Sequence, residues 1–283
     1  MFKRDDRFFD VPRTARLTTI GRVELPILYY EASNVVALFR ASRAGAERLL
    51  DRTGLVPQVD RRGDAIVALS FYDYRRTSIG PYREVGTALL ALPRGVRQPR
   101  LGVAEMLTPA RWRTSGAYVV DLPVTTPAAC AAGREIWGYP KFVTDISYET
   151  GRRDFAGVVF EPVAGPAVDR AGARRIVTLR GGLGPGLAAP PLGVVTYSVL
   201  GDRSIRTTVT VRGRVHLRPA ASLRLEVGPS GHAMAENLRT LGLSEGQDGS
   251  RPGIVFETDR FQSILPAGVS APMAPEPAAR AWA

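Results

Sequence analysis

The sequence predicts a mainly β protein of the α+β class, built on one antiparallel sheet system. Apolar or β-branched runs of strand length recur along the chain, clusters of Gly, Pro or Arg separate them, and no alternating strand–helix repeat is visible. The loops between the runs are short, which favours antiparallel neighbours in a sheet that stays open or closes into a barrel or cone. The predicted strands are 22–30, 65–74, 88–92, 117–124, 144–150, 158–162, 176–180, 194–200 and 206–217.

Two short helices are predicted beside this sheet. Ser42 is a suitable N-cap for the first, Leu49 and Leu50 contribute its apolar face, and Gly54 follows its end. The second covers residues 233–241 and is followed by glycine. We expect the first helix to close one end of the sheet.

Composition and length indicate an ordinary globular protein, with enough residues for one large domain or two small ones. The chain has 283 residues, of which 45% are hydrophobic and 23% charged. We expect an irregular N-terminal arm over 1–20, a single domain over 21–269 and a flexible tail over 270–283. Cys130 is the single cysteine, which excludes an internal disulfide, and no apolar run is long enough to span a bilayer. A cytoplasmic protein without a membrane partner is therefore predicted.

The net charge of +11 raises the hypothesis of a nucleic-acid partner. The arginines, however, are scattered in pairs such as Arg61-Arg62 and are not accompanied by a zinc-finger, RRM or basic-helix pattern. No nucleic-acid partner is expected, and a basic pocket for an anionic substrate stays compatible with the charge. His216 and His232 lack a metal-ligand spacing, and the glycine-rich segment 181–186 lacks the Lys-Ser/Thr of a phosphate loop, so neither a metal nor a cofactor is expected.

The segment 133–142, Gly-Arg-Glu-Ile-Trp-Gly-Tyr-Pro-Lys-Phe, is the candidate site. Its Lys141 and Lys3 are the only lysines in the chain. A desolvated lysine can lose its proton near neutral pH and attack a carbonyl, which arginine cannot do. The aromatic neighbours Trp137 and Phe142 would lower the pKa of Lys141 if they enclose it. By residue type alone, a surface lysine after a turn proline remains the alternative.

This segment closely resembles the active-site segment of the acetoacetate decarboxylase superfamily, in which Gly-Arg-Glu and Tyr-Pro-Lys present a Schiff-base lysine. Further similar segments lie, in the family's order, at 21–30, 79–84, 116–127, 232–238 and 264–266. The resemblance implies an antiparallel sheet closed into a cone-like β-barrel with a few flanking short helices. It also implies a homo-oligomer, an imine on Lys141, and Glu84 as the catalytic acid or base.

The same resemblance supplies the remaining candidate residues. Arg22 would bind or orient the substrate carboxylate, and Tyr82 and Tyr139 would line the pocket or serve only as packing residues. Arg134 and Glu135 would contact the substrate or form an ion pair that shapes the loop before the lysine. Phe142 adjoins the pocket at the position where the decarboxylase carries a second lysine.

The sequence therefore predicts a lyase that acts on a small anionic oxo-acid, with decarboxylation of a β-keto acid as the leading reaction. Two departures from the family pattern keep other reactions open. Phe142 replaces the second lysine, and residues 65–71 contain no counterpart of a second pocket glutamate. A pyruvate aldolase-dehydratase or a hydroxy-oxo-acid dehydratase remains an alternative. A non-enzymatic anion-binding module and an inactive scaffold, in which Lys141 pairs with an anion, also remain.

Overall fold

The computed structural model describes residues 7–100, 102–163, 174–219, 221–244 and 251–272. The helices are α1 (Arg43–Leu49), α2 (Pro127–Trp137) and α3 (Ala233–Thr240), with 3₁₀ segments at Arg7–Phe9, Gly102–Leu107 and Ala110–Trp112. The strands are β1 (Thr14–Thr18), β2 (Gly21–Leu25), β3 (Ile27–Ala41), β4 (Leu55–Pro57), β5 (Ala65–Thr77), β6 (Tyr82–Pro93), β7 (Gly116–Asp121), β8 (Ile146–Thr150), β9 (Asp154–Phe160), β10 (Arg175–Gly182), β11 (Leu187–Ala189), β12 (Val194–Leu200), β13 (Arg203–Gly213), β14 (Val215–Leu217), β15 (Arg224–Val227), β16 (Ile254–Leu265) and β17 (Val269–Pro272).

Seven strands close into a barrel in the order β16, β3, β5, β6, β7, β12 and β13, and the ring is completed by pairing of β13 with β16. Every pair in this ring is antiparallel except β7 and β12, which run parallel. Closure leaves the ring without an unpaired edge. The predicted mainly β fold with a closed antiparallel barrel is thus confirmed.

A second sheet, in the order β15, β10, β9 and β8, packs against the barrel. The barrel and the second sheet share one buried core. In this core, the ring of Phe71 from β5 and the ring of Phe155 from β9 pack in an edge-to-face arrangement, with ring centroids 5.4 Å apart. Inward side chains alternate with outward ones along each strand, so burial of the apolar set fixes the register. This core holds β5 and β6, the strands that carry the site.

Both predicted helices are present. Ser42 caps α1 by accepting a hydrogen bond from the backbone N–H of Gly45, and the His232 side chain caps α3 by accepting from Met234. None of the helices in the described part of the chain is long and apolar enough to cross a membrane.

Helix α2 was not predicted, although it carries the segment of interest. Its buried face consists mostly of small residues, Ala129, Ala132 and Gly133, so its apolar pattern is weak in the sequence. Its ends do carry signals: Thr126 accepts from the N–H of Ala129, Pro127 occupies the first helical position, and Gly138 ends the helix with φ of 66°.

The expected chain ends also need correction. The arm predicted to be irregular over 1–20 contains β1, which forms a hairpin with β2 from Thr14 paired with Leu25 to Thr18 paired with Gly21. The tail predicted to be flexible from residue 270 contains β17, which pairs with β13. Residues 1–6 and 273–283 lie outside the described residues.

Candidate active site

A tight reversal after α2 returns the chain alongside the helix and places Lys141. Gly138 adopts the left-handed conformation, which a glycine takes without steric cost, and the N–H of Tyr139 donates to the carbonyl of Gly133 at 3.1 Å. The N–H of Lys141 then donates to the carbonyl of Tyr139 at 2.7 Å. Arg134 stabilises the reversal by donating from Nη1 to the Lys141 carbonyl at 3.2 Å.

Gly133 makes room for the lysine side chain. A Cβ atom at this position would lie 2.4 Å from both Cδ and Cε of Lys141. Carbon atoms normally approach to about 3.5–4.0 Å, so any larger residue would displace the lysine or the helix. The glycine of the Gly-Arg-Glu sequence is thus a positioning residue for Lys141.

The Lys141 amine meets the carboxylate of Glu84 in the protein interior. Lys141 Nζ lies 2.5 Å from Glu84 Oε2, and the two residues are 6% and 7% exposed. Tyr74 donates its hydroxyl to the other carboxylate oxygen, Oε1, at 3.3 Å. Glu84 lies near the start of β6, where a bridge to Val124 ties the strand to the segment leading into α2. The geometry is that of a short, charge-assisted hydrogen bond.

Five tyrosines surround this pair: Tyr29, Tyr72, Tyr74, Tyr82 and Tyr139. Burial, reinforced by the charge of Glu84, raises the pKa of Tyr72 to about 12. Burial likewise raises the pKa of Tyr139 to about 12 and those of Tyr29, Tyr74 and Tyr82 well above the ordinary value. All five are therefore neutral hydroxyl groups that can donate hydrogen bonds near pH 7.

The pair opens into a cavity of about 210 Å³ inside the barrel. An engineered cavity of about 150 Å³ holds benzene, so this space is large enough for an oxo-acid of similar size. The charged side chains among the described lining residues are Lys141, Glu84 and Arg113. A buried cavity with few, convergent polar groups is the usual form of a ligand site.

The predicted site residues divide between this cavity and other positions. Lys141, Glu84 and Tyr139 line it. The Tyr82 ring lies behind it, with its centroid 5.6 Å from Lys141 Nζ, and its hydroxyl is 3.0 Å from that of Tyr29. The Tyr139 hydroxyl is 2.7 Å from Thr196 Oγ1, so its ring is fixed on the cavity wall.

The remaining predicted residues lie outside the cavity lining. The Arg22 side chain is 68% exposed on β2, 3.9 Å from Glu24. Glu135 accepts hydrogen bonds from the backbone N–H and hydroxyl of Thr19, whereas Arg134 binds the backbone near the lysine. The expected Arg134–Glu135 ion pair is therefore not formed, because consecutive residues of a helix point in different directions.

Phe142 also points away from the cavity. Its ring packs against the imidazole of His232, with centroids 4.4 Å apart. Phe142 is thus not among the described residues that line the cavity.

Three further residues at the site, Tyr29, Tyr72 and Tyr74, were not predicted from the sequence. The signal for two of them was present: Ser70, Tyr72 and Tyr74 alternate along β5 and so share its inner face. The described part of the chain contains no group of three or more His, Cys, Asp or Glu side chains that could hold a metal ion.

The chain is similar to proteins of a known family. The profile of the acetoacetate decarboxylase (ADC) family matches residues 17–193, more than half of the chain. A solved acetoacetate decarboxylase superposes with a TM-score of 0.61 and 16% identity over 87% of this chain and 89% of the other. The acetoacetate decarboxylase of Legionella pneumophila gives a TM-score of 0.57 and 15% identity over 92% and 91%.

A third similar structure is the enduracididine biosynthesis enzyme MppR in complex with pyruvate, with a TM-score of 0.58 and 14% identity over 87% of this chain and 90% of the other. Among curated proteins, none matches the chain significantly by sequence. At these identities the structural matches establish the fold alone. Together with the profile match, they show that the chain belongs to the acetoacetate decarboxylase (ADC) family.

Proposed function

We propose that the protein is a Schiff-base-forming lyase that decarboxylates a small β-keto acid through an imine on Lys141. The observation that carries the proposal is the buried contact of 2.5 Å between Lys141 Nζ and Glu84 Oε2 at the wall of the cavity. An amine nucleophile with an acid–base group in hydrogen-bond reach is the arrangement that imine chemistry needs.

The reaction begins when the unprotonated Lys141 amine attacks the ketone carbon and forms a carbinolamine. Glu84 is close enough to take the proton released from nitrogen and to return a proton to the departing hydroxyl, so that water leaves. The protonated imine then accepts the electron pair of the bond to the carboxylate, and CO₂ departs. Reprotonation of the enamine carbon and hydrolysis of the imine release a ketone and restore the amine.

The neighbouring tyrosines support Glu84 in this cycle. Tyr74 donates to the carboxylate oxygen that does not contact Lys141, which holds the other oxygen toward the amine. The Tyr82 ring lies near Lys141 Nζ at 5.6 Å, a distance at which an aromatic face stabilises a cation such as the protonated imine. The donor role of Tyr74 requires a neutral hydroxyl, in agreement with its raised pKa.

An aldolase-dehydratase acting on pyruvate is the second candidate. MppR, whose fold is similar, was solved with pyruvate and with the condensation product of pyruvate and an aldehyde. The same imine and the same Glu84 could serve it, with the carboxylate removing a methyl proton from the imine of pyruvate. A hydroxy-oxo-acid dehydratase would use the pair similarly. A simple anion binder is less well supported, because the Lys141 charge already faces a buried carboxylate.

Borohydride reduction tests the proposal directly. The chain has only two lysines, so an adduct can be assigned to one of them. The enzyme is reduced in the presence of acetoacetate or, separately, pyruvate, and the peptides are identified by mass spectrometry. We expect an adduct on the peptide that contains Lys141 and a preference for acetoacetate. Lys3→Arg is the matched control and should keep the adduct and turnover, whereas Lys141→Arg should lose both. Turnover by Lys141→Arg would refute imine catalysis.

A homo-oligomer and a cytoplasmic location belong to the same proposal. The family resemblance supports the first, and the single cysteine, typical of a reducing compartment, supports the second. Size-exclusion chromatography with light scattering tests the oligomer directly.

A further inference from the structure

The cavity does not end at the Lys141–Glu84 pair but follows β6 to the opposite end of the barrel. Glu84 and Leu90 both line it and are six residues apart on β6, which corresponds to about 20 Å along a strand. Between them the lining residues of β6 are Gly86 and Ala88. A small barrel is normally filled by large inward side chains, so these small residues keep the passage open.

Arg113 lies at the far end of this passage. It precedes β7, whose Gly116 pairs with Ala91 at the end of β6, and it is 6% exposed. Its Nη2 donates to the carbonyl of Gly193, while its Nε has no hydrogen-bond partner among the described residues. Burial lowers the pKa of this guanidinium, yet a guanidinium keeps its proton in proteins. Arg113 therefore brings a buried positive charge to the cavity wall, and one of its donors is unpaired.

Gln58 supplies a second free donor at the same end. Its backbone N–H donates to the carbonyl of Leu90 at 2.7 Å, its side chain is part of the cavity wall, and it is 2% exposed. Its Nε2, like Arg113 Nε, has no partner within the described ranges. Buried donors are normally satisfied, so two unpaired donors on residues at one end of a cavity are unusual and mark this end as polar.

The acidic side chain whose charge acts on Arg113, Glu105, does not form an ion pair with it. The charge of Glu105 acts on Arg113 and opposes the effect of burial on its pKa. Glu105, however, accepts a hydrogen bond from Ser115, and no ion pair joins it to Arg113 in the described part of the chain. The far end of the cavity therefore keeps a positive charge that an anionic ligand can neutralise.

We propose that Arg113 and Gln58 form a carboxylate-binding subsite, and that the substrate carries an apolar chain which extends from the reacting ketone along β6 and ends in a carboxylate. The identity of the ketone end rests on the proposed function, whereas the subsite itself does not. A substrate of this class fits the separation of the two ends, their charges and the small residues between them.

Binding of carboxylates that lack a ketone tests the subsite independently of imine chemistry. Isothermal titration calorimetry compares octanoate with octanamide, which has a similar shape and no charge. We expect the wild type to prefer the carboxylate by about tenfold or more, as for hydrogen bonds to charged groups. Arg113→Met should reduce this ratio to near one. Arg111→Met, the same change at an exposed arginine of the same loop, should leave it unaltered.

Gln58→Leu provides a second variant with nearly the same volume, and it should weaken octanoate binding without abolishing the preference for charge. Equal binding of octanoate and octanamide by the wild type, or an unchanged ratio in Arg113→Met, would overturn the subsite. Borohydride trapping with methyl ketones that end in a carboxylate, from levulinate to longer homologues, then tests the Lys141 end and the Arg113 end of the cavity in one experiment. Adducts on Lys141 that show no preference for longer carboxylated chains would support the lyase and contradict the subsite. Octanoate binding through Arg113 without any adduct would support the subsite and contradict the lyase.

Discussion

Gly133→Ala is the sharpest test of how Lys141 is held, because it adds one methyl group and removes no chemical function. The new Cβ would lie 2.4 Å from Cδ and Cε of the lysine. Relief of the overlap requires a shift of about 1 Å to reach ordinary carbon–carbon contact. A shift of that size away from Glu84 would lengthen the contact of 2.5 Å beyond the range of a hydrogen bond. A misplacement of about 1 Å in a catalytic group costs about 100-fold in rate.

Stability should change much less than activity in this variant. Alanine is favoured over glycine inside a helix by about 1 kcal/mol, which offsets part of the roughly 1–3 kcal/mol cost of overpacking. The assay measures the rate of borohydride trapping with acetoacetate beside the melting temperature. Gly253→Ala is the matched control, since a Cβ there meets no atom within 4 Å. Trapping by a folded Gly133→Ala at close to the wild-type rate would show that Lys141 does not depend on this contact.

Three further predictions follow from the same geometry. Glu84→Gln should keep the fold but lower kcat by about 10²–10⁴, as for loss of a general acid–base, with trapping of the imine slowed in parallel. Tyr74→Phe should lower kcat by about tenfold with KM little changed, because it removes one hydrogen bond to that carboxylate. Asp121→Asn should raise the free energy of unfolding near pH 7 by roughly 3 kcal/mol, because burial raises the Asp121 pKa to about 6 from an unfolded value of about 3.9. The free energy of unfolding of the wild type should fall relative to that of Asp121→Asn as the pH rises from about 4 through 6. Urea unfolding across this pH range measures the difference.

Each of these has a result that would contradict it. Wild-type kcat in Glu84→Gln would remove that residue from the proton transfers, and an effect of Tyr74→Phe on KM alone would assign the tyrosine to substrate binding. For Asp121, the amide of Asn237 donates to the carboxylate and can donate equally to an asparagine oxygen. If the free energies of unfolding of the wild type and of Asp121→Asn change in parallel between pH 4 and 8, ionisation of Asp121 does not destabilise the folded state.

The elements predicted well from sequence are those determined by local pattern. The β-branched run 207–211 lies within β13 because such residues suit a pleated, half-buried surface, and Ser42 caps a helix through its own side chain. Lys141 could be singled out because lysine is rare in this chain and because its aromatic and proline neighbours form a recognisable segment. These are properties of a few adjacent residues.

Features that depend on contacts between distant residues could not be read in this way. Glu84 and Lys141 are separated by 57 positions and meet only because β6 and the turn after α2 converge on one cavity. Arg22 and Arg113 are both arginines flanked by ordinary residues, and only the closed barrel leaves the first on an exposed hairpin and the second inside. A local sequence does not record which of many arginines a fold will bury.

In the proposed imine mechanism, the charges at the Lys141 end of the cavity act differently on a reaction that expels the substrate carboxylate and on one that retains it. Once the lysine is an imine, its positive charge faces Glu84 and the substrate carboxylate, and Arg113 at the far end is the other cation among the described lining residues. Two carboxylates about 4 Å apart repel by about 4 kcal/mol at an effective dielectric constant of about 20. Decarboxylation removes one of them as neutral CO₂ without a proton transfer, while the enamine consumes the imine charge. In an aldol reaction of pyruvate the substrate carboxylate stays, and Glu84 has to take the methyl proton before the enamine forms. The ratio of turnover with acetoacetate to that with pyruvate should therefore rise in Glu84→Gln, because only the aldol route needs this carboxylate as the base at that step.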